Sequence, residues 1–165
     1  MTKSINIALI ANYIPDKQKS MLRSADLFHQ ALAERGLKVD LLRPRQIAGK
    51  LTNKLPRLQK LLGIIDKFIL FPFELMYFAH IRRGKNIVFH IVDQSNAIYS
   101  FLLVGKPYIV TCNDVISIRS ARGEIGYNPI TLAGRLVQAF ILTRLRHAKR
   151  IICISQNTAR ELRPL

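Results

Sequence analysis

Ile87-Val88-Phe89-His90-Ile91-Val92-Asp93-Gln94-Ser95-Asn96 is the stretch on which the fold turns. It runs apolar from Ile87 to Val92, His90 apart, and then turns polar. A strand without a polar face must be covered on both sides, which is how strands of a parallel sheet read. The polar residues after it form a turn, and a short helix leads from there to Leu103.

The same alternation extends in both directions. Upstream, Ile5 to Ile10 reads as a buried strand, followed by a polar loop from Asn12 to Lys19. Ser20 is a cap for a helix whose buried face is Met21, Ala25, Phe28 and Leu32, and Gly36 supplies its left-handed stop. Leu37, Val39 and Leu41 alternate as a second strand, ended by Pro44. Residues 45–60 are basic and weakly patterned. A helix runs from Leu61 to Leu70, Pro72 breaks or kinks it, and a second runs from Phe73 to Arg82 and ends at Gly84.

Downstream, Gly105 and Pro107 precede a fourth strand, Tyr108 to Cys112. Asn113 to Tyr127 reads as a loop. Asn128-Pro129 reads as a helix start, with Leu132, Leu136 and Phe140 as the buried face and Arg144, Arg146 and Lys149 at the cation-favouring end. Ile151 to Ile154 is a fifth strand, and Ser155 caps a last helix. Strands alternating with helices predict an α/β fold with a mostly parallel sheet between two helical layers, formed by residues 1–165 as a single domain.

The 165 residues hold 26 Lys and Arg against 10 Asp and Glu, a net charge of +16, yet 49% are hydrophobic. That apolar content excludes a disordered polyelectrolyte, and the length suffices for one cored domain. Cys112 and Cys153 lie in apolar runs with no CxxC, as buried free thiols of a reducing compartment do. The apolar start, with Asn6 inside it, is short for a signal peptide. The most hydrophobic window, Leu61 to Ile81, contains Asp66, Lys67, Pro72, Glu74 and His80, which argues against a membrane span.

In an open α/β sheet, ligands bind outside the carboxyl ends of the strands. Those ends carry Asn12-Tyr13, Asp93-Gln94-Ser95-Asn96, Asn113-Asp114 and Ser155-Gln156-Asn157. The polar clusters converge on one rim as a candidate site; the plainer alternative is that they are turn and cap residues. No GxGxxG follows the first strand, and there is no GxxxxGK[ST] or HExxH. His29, His80, His90 and His147 have no metal-ligand spacing, so no metal and no tightly bound cofactor is expected. His90, inside a strand, reads as a core histidine.

Four segments carry a resemblance, in order: Asn12 to Met21, His90 to Tyr99, Val110 to Asp114 and Ala148 to Thr158. With them the chain resembles the N-terminal, Rossmann-like domain of GT-B-fold glycosyltransferases of family 4. The resemblance implies a retaining transferase moving a sugar from a nucleotide-sugar to a glycan or lipid-linked acceptor. It implies Asp93 and Asp114 as the candidate catalytic carboxylates, and Asn12, Tyr13, Gln94, Asn96 and Asn113 as acceptor-binding residues. In such enzymes the C-terminal half holds the nucleotide-sugar. That half is missing from this chain, which is therefore expected to be inactive alone. Two features depart from the family pattern. The loop Ile14 to Ser20 lacks the glycine pair of many relatives, and Asn113 stands where many have a histidine.

Between residues 36 and 85, eleven Lys and Arg stand against Asp40, Asp66 and Glu74, which places half of the net charge beside the apolar run Phe68 to Phe78. Basic residues beside an apolar helix suit an anionic membrane surface, with Lys50, Lys54, Arg57 and Lys60 as the docking residues, at the inner face of the cytoplasmic membrane. The blander reading is a helix pair packed on the sheet under a solvated charged face. The rival class, a basic non-catalytic module for nucleic acid or a protein partner, rests on charge alone: no Trp, helix-turn-helix, zinc-finger or RNP pattern is present.

Overall fold

The computed structural model describes residues 5–52, 56–82, 86–126 and 129–165. Five strands form one parallel sheet in the order β2-β1-β3-β4-β5: β1 Asn6–Ile10, β2 Lys38–Leu42, β3 Ile87–Ile91, β4 Tyr108–Cys112 and β5 Ile151–Cys153. Ile10 pairs with Leu42 on one side and with Ile91 on the other. The chain therefore moves from β1 to one side, crosses back, and continues to the other.

Strand side chains alternate between two cores. Ala8, Ile10, Phe89, Ile91, Val110 and Cys112 face one layer, where they meet Phe71, Leu75, Leu103 and Leu145. Leu9, Ala11 and Val92 face α1 (Lys19–Glu34), through Ala25, Phe28 and Leu32. The result is the three-layer, Rossmann-like α/β/α fold that strands apolar on both faces require.

The first layer is built from an unbroken helical path. It runs through α2 (Pro56–Ile65), a π-turn segment Asp66–Leu70, α3 (Phe71–Tyr77) and a second π segment Phe78–Arg82. Pro72 does not break it. Phe71 N–H bonds back five residues to Asp66 O, in the wide π pattern. Pro72 has no N–H to continue that pattern onto Lys67 O, and the Tyr99 hydroxyl donates to that carbonyl instead, at 3.1 Å. The layer is completed by a 3-10 helix, Gln94–Leu103, and by α5 (Leu132–Arg146).

Other boundaries differ from the sequence reading for local reasons. Ser20 lies inside α1, and Gln18 at the cap position makes no side-chain cap bond. Gly36, with φ +76°, closes the helix as expected. The supposed loop after β4 contains α4 (Ile116–Ala121), opened by Asp114 Oδ1 accepting from Ile116 N–H at 3.0 Å. α5 begins at Leu132, capped by Thr131, whose side chain accepts from Gly134 N–H; Asn128 lies outside the described residues.

The buried face of α5 is also not the expected one. Leu132, Leu136 and Phe140 are 75%, 67% and 40% exposed, and Ile141, Leu142 and Leu145 are buried. Apolar residues surround this helix, so its period does not select a face; its last turns are what meet the sheet. Ser155 caps α6 (Gln156–Leu162) as read, accepting from Thr158 N–H.

Candidate functional site

The order of the sheet reverses between β1 and β3, and the crevice outside their carboxyl ends is where ligands bind in open α/β sheets. Asn12 follows β1 and Asp93 follows β3, and the two meet there. Asn12 Nδ2 donates to Asp93 Oδ2 at 2.5 Å and to Gln18 Oε1 at 2.6 Å. Asn96 Nδ2 donates to Asn12 Oδ1 at 3.0 Å. Asp93 also accepts from Ser95 Oγ at 2.7 Å, from Ser95 N–H at 3.3 Å and from Asn113 Nδ2 at 3.5 Å.

β4 and α6 join the same network. Gln94 Oε1 accepts from Asn113 N–H at 2.8 Å, and Thr158 Oγ1 donates to Asn113 O at 3.1 Å. Asn12, Asp93, Asn96, Asn113 and Thr158 are all buried. Polar groups so far from water persist because each has partners.

A cleft of about 170 Å³ opens beside this network. Asn12, Ser95 and Asn96, with Gln18 and Gln138, form its polar wall, Tyr99 and Ile141 its apolar wall, and the Lys67–Asp16 ion pair, at 2.9 Å, stands at its side. It is smaller than the roughly 300 Å³ at which drug-sized pockets begin, and it has room for one small ring. Both Nδ2 hydrogens of Asn12 are spent on Asp93 and Gln18, so toward the cleft it offers Oδ1 as an acceptor, while Asn96 spends one Nδ2 hydrogen on Asn12 and keeps the other, with its Oδ1, for a hydroxyl.

The expected site residues therefore divide. Asn12, Asp93, Gln94, Asn96 and Asn113 come together; Asn12 and Asn96 line the cleft, while Asp93 lies behind them with both oxygens occupied. Asp114, one residue before the cap position of α4, accepts from Ile116 N–H with its carboxylate. Tyr13 lines the cleft through its ring, but its hydroxyl points away, donating to Asp66 Oδ2 at 2.7 Å. Lys50 and Lys60 are exposed on the 3-10 helix Ala48–Thr52 and on α2. Arg57 belongs to α2, and Lys54 lies outside the described residues.

Asp66 is the residue that the sequence reading passed over, as one charge against a membrane span. It is fully buried and accepts from Ala48 N–H at 2.8 Å, Gly49 N–H at 3.1 Å and Ile47 N–H at 3.2 Å, besides Tyr13. Burial pushes its pKa up, but the Tyr13 hydroxyl and the three amides outweigh burial and hold the carboxyl below its ordinary value. Burial and the neighbouring Asp66 raise Tyr13. Gly49 and Gly63 leave room for the tyrosine: a Cβ on Gly63 would lie 3.2 Å from Tyr13 Cε1. The legible signal was an acid inside an apolar helix, which needs hydrogen-bond partners to be buried there.

His90 faces α1, bonded to Thr111 Oγ1 at 2.8 Å and edge-on to Phe28 at 4.9 Å. Burial pushes it down to about 4, so it is a neutral core residue. Among the described residues, no group of His, Cys, Asp and Glu is arranged to hold a metal, and no helix is long and apolar enough to cross a membrane. Comparison with family models, with curated proteins and with solved structures finds no match for this chain.

Proposed function

We propose that the chain is the acceptor-side half of a retaining glycosyltransferase. In this reading it presents a glycan or lipid-linked acceptor, at the inner face of the cytoplasmic membrane, to a nucleotide-sugar held by a second domain. The observation that carries the reading is the amide wall at the switch point: Asn12 and Asn96, buried and locked to each other and to Asp93, bordering a one-ring cleft. Neutral donor–acceptor pairs suit sugar hydroxyls. They do not suit a phosphate, which calls for a glycine-rich loop on a helix N-terminus, and the loop before α1 has no glycine. Asp93 acts here as the group that orients Asn12 and, through it, Asn96.

The test is a nuclear magnetic resonance titration of the chain with a monomeric alkyl glycoside, with a nucleotide-sugar and with a DNA duplex. Saturable shifts at Asn12 and Asn96 with the glycoside, weakened at least tenfold in Asn96→Ala, are the expected result. No glycoside binding at millimolar concentration, or duplex binding at physiological salt that Asn96→Ala leaves unchanged, refutes the reading and favours the basic-module class.

A further inference from the structure

The helical path Pro56–Arg82 is apolar on two faces. Gly63, Phe71, Leu75 and Ala79 face the protein and are buried. On the opposite side, Leu61, Ile64, Phe73, Met76, Tyr77 and Ile81 are between 44% and 73% exposed. A helix apolar on two faces buries one against its own sheet, and the other is left without an apolar medium to face. The stripe continues onto neighbouring elements: Phe101 is 44% and Val104 is 75% exposed, and Phe140 meets Phe101 edge-on at 6.2 Å. A groove of about 610 Å³ runs between α3 and the end of the 3-10 helix, with Phe73, Ile81, Phe101 and Val104 on its walls. His80, which also lines it, donates Nε2 to Leu102 O at 2.9 Å. Monomers rarely expose so continuous an apolar surface without a partner for it.

The charges around the stripe indicate which partner. Of the acids on this path, Asp66 is buried and Glu74 is paired with Arg45 at 3.0 Å. Lys50 and Lys60 are exposed, as is Arg135 beside Leu132 and Leu136, and none has an acidic partner among the described residues. An apolar face with unpaired cations at its margin and no free acid is complementary to an anionic lipid surface. A second copy of the chain would bring another +16 against the same cations. Aromatic side chains among the exposed residues suit the headgroup boundary.

We propose that this face docks peripherally on an anionic bilayer, with Phe73, Tyr77, Ile81, Phe101 and Val104 entering the acyl boundary and Lys50 and Lys60 at the headgroups. The proposal deepens the membrane side of the function proposed above, and rests on it for the choice of leaflet.

Co-sedimentation of the chain with phosphatidylcholine vesicles, with and without phosphatidylglycerol, tests it. Binding is expected only with phosphatidylglycerol. It should fall about fivefold for each charge removed in Lys50→Gln and Lys60→Gln. It should fall at least tenfold in Phe73→Ser with Ile81→Ser, while Leu27→Ser, exposed on α1, leaves it unchanged. Circular dichroism should show all variants folded, since each side chain is solvent-facing. Absence of vesicle binding, or binding indifferent to Phe73→Ser with Ile81→Ser, overturns the proposal. So does a dimer in light scattering that those substitutions dissolve. The glycoside titration on the same Phe73→Ser, Ile81→Ser protein separates the two readings: sugar binding without vesicle binding removes only the docking face, and the reverse removes only the acceptor site.

Discussion

Two residues set the chemistry of the interior. Asp66 holds the segment Ile47 to Gly49 through three amides and holds Tyr13 through its hydroxyl. Asp66→Ala strands those donors in the core and should cost about 3–5 kcal/mol in urea denaturation; Tyr13→Phe removes one donor and should cost about 1–2 kcal/mol. His90 governs the response to acid. Its pKa, about 4 when folded, lies below the ordinary value near 6.5 of an unfolded chain, so the unfolded state takes up the proton first. Stability from His90 is complete above pH ~6.5 and is lost as pH falls from there toward about 4, by up to about 3 kcal/mol. Asp66, held low, adds to the loss only below pH ~4, where the unfolded carboxyl protonates. Denaturation curves at pH 7 and pH 5 should show the first effect, and His90→Gln should flatten it. Of these residues, His90 was readable as a core histidine because it interrupts an apolar strand. Asp66 announced its burial, as an acid inside an apolar helix, but not its partners, because its donors come from Tyr13 and from the segment Ile47 to Gly49, some eighteen positions earlier.

At the scale of elements, the helix Pro56–Arg82 survives a proline because a distant side chain repairs it. Tyr99→Phe should cost about 1 kcal/mol by leaving Lys67 O without its donor, and much of that cost should vanish in a Pro72→Ala background, where an amide returns. A double-mutant cycle by thermal melting measures the coupling. Ser155→Ala should cost about 1 kcal/mol by uncapping α6 and loosening Thr158, which holds Asn113 O. Ser155 was legible as a cap, since a serine between an apolar strand and a helix is a local signal. The π turns were not, and neither was the start of α5 at Leu132, because Asn128 and Thr131 could each cap a helix there and it is Thr131 that accepts from Gly134 N–H.

For the whole molecule, a charge of +16 on a compact domain produces self-repulsion. Raising salt from low to physiological should raise the melting temperature by about 2–4 °C in a fluorescence melt. The alternation of apolar runs with helical periods was sufficient for a five-stranded parallel sheet between helices, and for the rank of polar residues at its carboxyl end. Both are local properties: a strand apolar on both faces announces its own burial, and a strand end announces its own turn. Which polar residues meet was settled only by folding. Asn12 and Asp93 lie 81 positions apart and became partners because β1 and β3 are neighbours in space. The inward face of α5 and the uncovered side of the long helix were settled in the same way. Both elements are apolar on more than one face, so periodicity cannot choose between them, and the choice falls to which side the sheet occupies.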